Sequence, residues 1–201
     1  MVFLNTLAYR LNNKMSNRKK IKEYDKYLKK LIEKQDFVKI KMSLLGEQED
    51  KSGFILAMSK DFILLQVANE FALDGYAIIT KYDFESIRCN KYDKTKKKIL
   101  AAEGELKNKY GIEKPINIES WSTVLSDLKN QDFHVIIRNI RKDYLEFNIG
   151  PIKKATNKKV KINNYDPTGK LDEKLTSINL EDIRIIQFGD NYSTIFRKYL
   201  K

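Results

Sequence analysis

Between Gly53 and Asn90 the chain carries four apolar runs separated by polar breaks. The runs are Gly53–Met58, Phe62–Val67, Tyr76–Thr80 and Phe84–Cys89, and the breaks are Ser59–Asp61, Ala68–Gly75 and Lys81–Asp83. Each run is close to the usual strand length of about six residues. Parallel neighbours need a crossover of about a dozen residues or more, and no break here supplies one. The stretch therefore predicts an antiparallel meander. Phe37–Met42 adds a strand ahead of it, because Val38, Ile40 and Met42 alternate with Lys39 and Lys41. Leu44–Ser52 reads as a turn or loop. Five consecutive short strands predict a small barrel, since closing a sheet removes its vulnerable edges.

A helix is expected before the strands. Ile21, Tyr24, Leu28, Leu31 and Ile32 recur at three- and four-residue steps after the polar break Asn12–Asn17. Nine basic and three acidic side chains lie between Lys14 and Lys34. Two readings stand side by side: a helix laid against phosphates, or a lysine-rich solvated face. Leu4, Leu7, Ala8 and Leu11 suggest a short amphipathic arm docked on the body or on a partner. It is too short to span a membrane and lacks the basic flank of a signal peptide.

Residues 93–116 read as a partly helical connector. Lys94, Lys96, Lys97 and Lys98 precede Ile99–Ala102, a helix is compatible with Ala101–Lys109, and Gly111 and Pro115 end it. Beyond it the sequence reads as a repeat of the first half at an offset of 96. Gln35-Asp36-Phe37 matches Gln131-Asp132-Phe133; Glu85, Ile87 and Arg88 match Glu181, Ile183 and Arg184; Phe84 matches Leu180 and Tyr92 matches Phe188. Ser120 or Asn117 caps a helix carrying Trp121, Val124, Leu125 and Leu128. Strands follow near Phe133–Asn139, Tyr144–Ile149, Lys158–Asn163, Lys170–Ser177 and Asp182–Phe188, with a turn at Asp166-Pro167-Thr168-Gly169. This alignment contains one conflict: Lys39 and Lys41 fall on Val135 and Ile137, so the inward face changes or a bulge shifts the register. Tyr192, Ile195, Phe196, Tyr199 and Leu200 predict a C-terminal helix.

The expected architecture is mostly β with flanking helices: two tandem five-stranded small barrels, each preceded by a helix. The first unit spans 18–92, the connector 93–116 and the second unit 117–201. Each unit is small enough for a marginal core, so Ile99, Leu100, Ile195 and Phe196 are expected to cover barrel surface and join the cores.

The chain has 39 basic and 27 acidic residues, a formal net charge of +12. That surplus suits contact with RNA, DNA or an anionic surface, and suits a plain solvated surface equally. One cysteine, Cys89, excludes an intrachain disulfide and fits a cytoplasmic location. Signs of catalysis are few. His134 is the one histidine and lies within an expected strand. No cysteine–histidine metal cluster or phosphate-cradling glycine loop is present. Asp36, Asp132, Glu85 and Glu181 could form paired carboxylates, but common surface acids explain them as well. A non-enzymatic protein without a cofactor is expected.

The helix and five-strand pattern resembles the Sm-like fold. Gly53-Phe-Ile-Leu followed by Asp61-Phe-Ile-Leu-Leu is similar to that family's second and third strands, and Ile78-Ile79 followed by Phe84-Glu85-Ser86-Ile87 to its fourth and fifth. The resemblance covers residues 20–92 and, less closely, 117–190, and implies single-stranded RNA binding, often in rings. The family's base-binding asparagine has no counterpart at Phe62–Leu64, and Thr80-Lys81-Tyr82 replaces its arginine–glycine pair. Contact is therefore expected from basic surfaces. The candidates are Lys19, Lys20, Lys22, Lys26, Lys96, Lys97 and Lys98 in the first half, and Arg138, Arg141, Lys142, Lys153, Lys154, Lys158, Lys159 and Lys161 in the second. RNA or another polyanion is the expected partner, with tyrosines and phenylalanines as stacking platforms. The alternative is an interaction or scaffold module that recruits a protein partner or another copy through exposed strands.

Overall fold

The computed structural model describes residues 25–201. The amphipathic arm near Leu4, and Ile21 and Tyr24 of the first helix, lie outside the described residues. The elements are α1 (25–33), β1 (Phe37–Leu44), β2 (Glu47–Met58), β3 (Phe62–Asn69), β4 (Ala72–Thr80), β5 (Phe84–Arg88), α2 (Lys91–Ala102), α3 (Glu105–Lys109), α4 (Trp121–Asn130), β6 (His134–Arg141), β7 (Tyr144–Ala155), β8 (Lys159–Ile162), β9 (Thr176–Asn179), β10 (Ile183–Phe188) and α5 (Asn191–Phe196). The chain is mostly β with flanking helices. All ten strands join one antiparallel sheet in the order β5-β1-β2-β3-β4-β10-β6-β7-β8-β9.

The sheet is open, which corrects the expected pair of closed barrels. β4 pairs with β10 of the other half, and β5 and β9 are left as edges. The order of pairing within each half is nonetheless the same: fifth, first, second, third, fourth.

Several boundaries also move. Leu44–Ser52 is not a loop: β2 begins at Glu47, and Leu45 and Gly46 both take positive φ in a two-residue hairpin turn. Lys142 and Asp143 do the same between β6 and β7. Two consecutive positive-φ residues match the twist of the flanking strands. β4 begins at Ala72, and the expected strand Lys170–Ser177 shrinks to a bridge at Leu171 and the later β9. The lysines at 94–98 lie inside α2, whose end is set by Gly104 in the left-handed conformation.

The single offset of 96 does not hold. Val38 pairs with Gly53 as Val135 pairs with Gly150, an offset of 97. The bulge that skips Leu56 in β2 recurs at Lys153 in β7, again 97 residues on. From the fourth strand onward the offset is 99. Phe84 pairs with Met42 as Ile183 pairs with Asn139, and the bulges skip Glu85 and Arg184. Thr80 hydrogen-bonds Asp83 and Asn179 donates to Asp182 in equivalent 3-10 turns. Glu85 thus lies on a strand while Glu181 lies in a turn, so they are not equivalent. The shift to 97 also removes the register conflict: Ile40 and Ile137 are both fully buried, and Lys39 corresponds to Ile136.

The core has two main clusters. Leu28, Leu31, Val38, Ile40, Ile55, Ile63, Leu65, Ile79 and Ile185 form the first. The second is built around α4. Ser120 caps that helix through the Thr123 amide, and Trp121, Val124, Leu125 and Leu128 are all buried. This cluster holds Val135, Ile137, Val160 and Ile186 of the second half together with Phe62, Leu64 and Ile78 of the first. One helix therefore fills one half and covers the other. Ile185, from the second half, enters the first cluster in exchange. Of the residues expected to cover the cores, Leu100 packs on Phe37 and Phe54, and Phe196 packs on Tyr165, but Ile195 is exposed.

Candidate nucleic-acid interface

The sequence-predicted basic residues separate into engaged and free groups. Lys19, Lys20 and Lys22 lie outside the described residues. Lys97 donates to the Lys34 carbonyl at 2.9 Å and pairs with Asp36, tying α2 to the end of α1. Lys96 lies over the Phe71 ring. Arg138 pairs with Glu49 across the two halves at 3.6 Å, and Arg141 is 3.9 Å from Glu146. Lys26, Lys98 and Lys142 are exposed but belong to three separate places, α1, α2 and the β6–β7 turn.

The remaining five come together. Lys153 and Lys154 end β7, Lys158 closes the turn, and Lys159 and Lys161 lie on β8; all are exposed. Val160 and Ile162 point into the core, so Lys159 and Lys161 share the opposite face by strand alternation. Lys154 is directly paired with Lys161, and directly paired like charges are destabilising. None of the five has an ion pair among the described residues. Ser177 of β9 extends this face beside Lys161.

Thr156 organises the turn, and the sequence reading missed it. Its Oγ1 accepts from the amides of Lys158 and Lys159 and donates to the Lys159 carbonyl. The readable signal was a threonine two residues before a lysine in a short polar break, a local side-chain-to-backbone motif. On the first half, the positions equivalent to Lys153, Lys154, Lys159 and Lys161 are Leu56, Ala57, Phe62 and Leu64. Those residues lie under α4, where Phe62 meets Trp121 edge-on at 4.6 Å. On the second half, no helix among the described residues covers the same face.

The exposed aromatic residues are elsewhere. Tyr144 and Phe147 lie at the far end of β7, and Tyr192 and Tyr199 lie in the C-terminal segment. Among the described residues, the lysine face therefore offers cations without stacking platforms.

His134, Cys89, Asp36 and Asp132 are each buried, half-buried or ion-paired. His134 is buried, and burial with the nearby Arg197 charge pushes its pKa down to about 4, so it is neutral at pH 7. Cys89 is half-buried, and burial raises its pKa. Asp36 pairs with Lys97 and Asp132 with Arg197. Among the described residues, no group of three histidine, cysteine or acidic side chains could hold a metal ion. No helix of the described residues is long and apolar enough to cross a membrane.

The start of α2 carries a pH dependence. Burial raises the Asp93 pKa, but two hydrogen bonds from Arg88 and one from the Asn90 amide outweigh it, leaving the pKa lowered. A carboxylate with a lowered folded pKa stabilises the fold above its unfolded value of about 3.9 and loses that contribution as pH falls through the folded pKa. Asp93→Asn should cost about 1.5–3 kcal/mol at pH 7. The cost should shrink as pH drops below about 4. Urea midpoints measured from pH 7 to pH 2.5 check this; a cost that does not change with pH would count against it.

No family model, curated protein or solved structure matches this chain.

Proposed function

We propose that the chain is a non-enzymatic protein that binds a polyanion, RNA first among them, through the lysine face of β7–β8–β9. In this reading each half is a small-barrel unit of the Sm-like kind, opened at the shared seam. The identical order of strand pairing and the repeated bulges support it. The observation that carries the ligand class is the Lys154–Lys161 pair within five exposed lysines that have no acidic partner among the described residues. A phosphate placed over these ammonium groups relieves their mutual repulsion. With no aromatic platform beside them, contacts go to the backbone and carry little sequence information.

Binding should be steeply salt-dependent. Five engaged lysines give a log–log salt slope of about −3.5 on a single strand. Lys154→Gln/Lys159→Gln/Lys161→Gln should reduce the slope by about 2 without unfolding the chain, since all three side chains are exposed. Fluorescence anisotropy with a labelled single-stranded RNA and a duplex, from 20 to 300 mM salt, reads both effects. Absence of binding at the lowest salt, or an unchanged slope in the triple variant, would remove this assignment.

A further inference from the structure

The ends of the sheet carry the counterparts of its internal seam. At the seam Ile78 lies opposite Ile186, Ile79 opposite Ile185 and Tyr76 opposite Phe188, whose rings stack at 5.2 Å. Arg184, the residue skipped by the β10 bulge, reaches Asp83 at 3.9 Å. The free edges are β9, in the place of β4, and β5, in the place of β10. The shared register puts Leu175 in the place of Tyr76, Ser177 in that of Ile78 and Asp182 in that of Asp83. It puts Ile87 in the place of Ile186 and Glu85 in that of Arg184.

We infer that these two edges are halves of one interface, altered in charge so that a second copy of the chain is turned away. The apolar remnants of a seam persist. Leu175 is 45% exposed and Ile87 is half-buried, although Ile186 at the equivalent place is fully covered. The charges oppose docking at two points. Glu85 of one copy would stand where Arg184 stands at the seam, so the Arg184–Asp83 ion pair has no counterpart there. Beside it, α1 of one copy would cover the face that α4 covers at the seam. That face carries Lys154, Lys159 and Lys161 in place of Ala57, Phe62 and Leu64, so the helix would be set on ammonium groups where the seam offers apolar side chains. A polar outer face on the terminal unit is how stacked units stop growing, and charged side chains on short strands protect a sheet edge. β9 has four residues and β5 has five.

The test restores the seam at the free ends. The variant Glu85→Arg/Lys154→Ala/Lys159→Phe/Lys161→Leu/Ser177→Ile changes only exposed side chains. Size-exclusion chromatography with light scattering, in buffer free of nucleic acid, compares it with the natural chain. The natural chain should stay a monomer at every concentration. The restored variant should give masses that climb with concentration, because a head-to-tail contact does not close on itself. Returning residue 85 to glutamate within that variant should weaken association by about tenfold or more, the effect of placing a carboxylate where the seam has a guanidinium. The inference is overturned by oligomers of the natural chain, by a restored variant that stays monomeric while its circular dichroism shows it folded, or by association indifferent to residue 85.

Discussion

Gly53→Ala and Gly150→Ala should each be among the most damaging single substitutions in this chain, at about 4 kcal/mol, where backbone strain and overpacking each contribute about 1–3 kcal/mol. Both glycines occupy the point where a long strand passes close to its neighbour. A Cβ at Gly53 would overlap the Gln66 carbonyl oxygen, and a Cβ at Gly150 would overlap the Asn163 carbonyl oxygen. The obstacle is backbone in each case, so no side-chain rotation relieves it. Both residues also have φ near +155°, a region that side chains rarely adopt. Urea denaturation followed by circular dichroism measures the loss. Gly46→Ala is the control, because nothing lies within 4 Å of its added methyl group and only the positive φ opposes it. Equal costs at 46 and 53 would show that close approach is not the cause.

Trp121→Ala should cost about 3–5 kcal/mol, the range for removing a large buried aromatic side chain. Trp121 is 8% exposed and meets Phe62 of the first half, while its helix fills the second. The loss should appear in one cooperative transition, with probes on both halves shifting together. Hydrogen exchange at β3 amides and at β8 amides gives independent readouts. A variant that weakens only β8 would show that α4 does not bridge the two cores.

The sequence revealed strands better than it revealed their arrangement. Alternating Val38, Ile40 and Met42 and the apolar runs from Phe54 to Ile79 are local signals, and each became a strand. The pairing of Ile78 with Ile186 is not local, and no periodicity announces that β4 will meet another half before it meets its own. The offset was misread for a definite reason. Gln35-Asp36-Phe37 and Gln131-Asp132-Phe133 look identical, yet the backbone uses them one residue out of step. Asp36 N–H bonds to the Leu31 carbonyl, whereas Phe133 N–H makes the equivalent bond to Leu128. Gly53 and Gly150 would have given the true offset, but an isolated glycine in a strand carries little weight until its neighbour's carbonyl is seen. The lysines were legible as residues; their sorting was not. Lys97 and Lys153 look alike in sequence, and only the fold gives one an aspartate and leaves the other exposed.

The seam between β4 and β10 has a consequence during synthesis. Once Thr80 has emerged, β4 awaits a partner strand that ends at Phe188, 108 residues later. At roughly 5–20 residues per second the first half waits about 5–20 s with that edge unpaired. Phe62, Leu64 and Ile78 are uncovered for part of the same interval, until α4 arrives. The newborn chain therefore passes through a stage in which its first sheet is formed, sticky on one side and accessible to chaperones or to a neighbouring nascent chain.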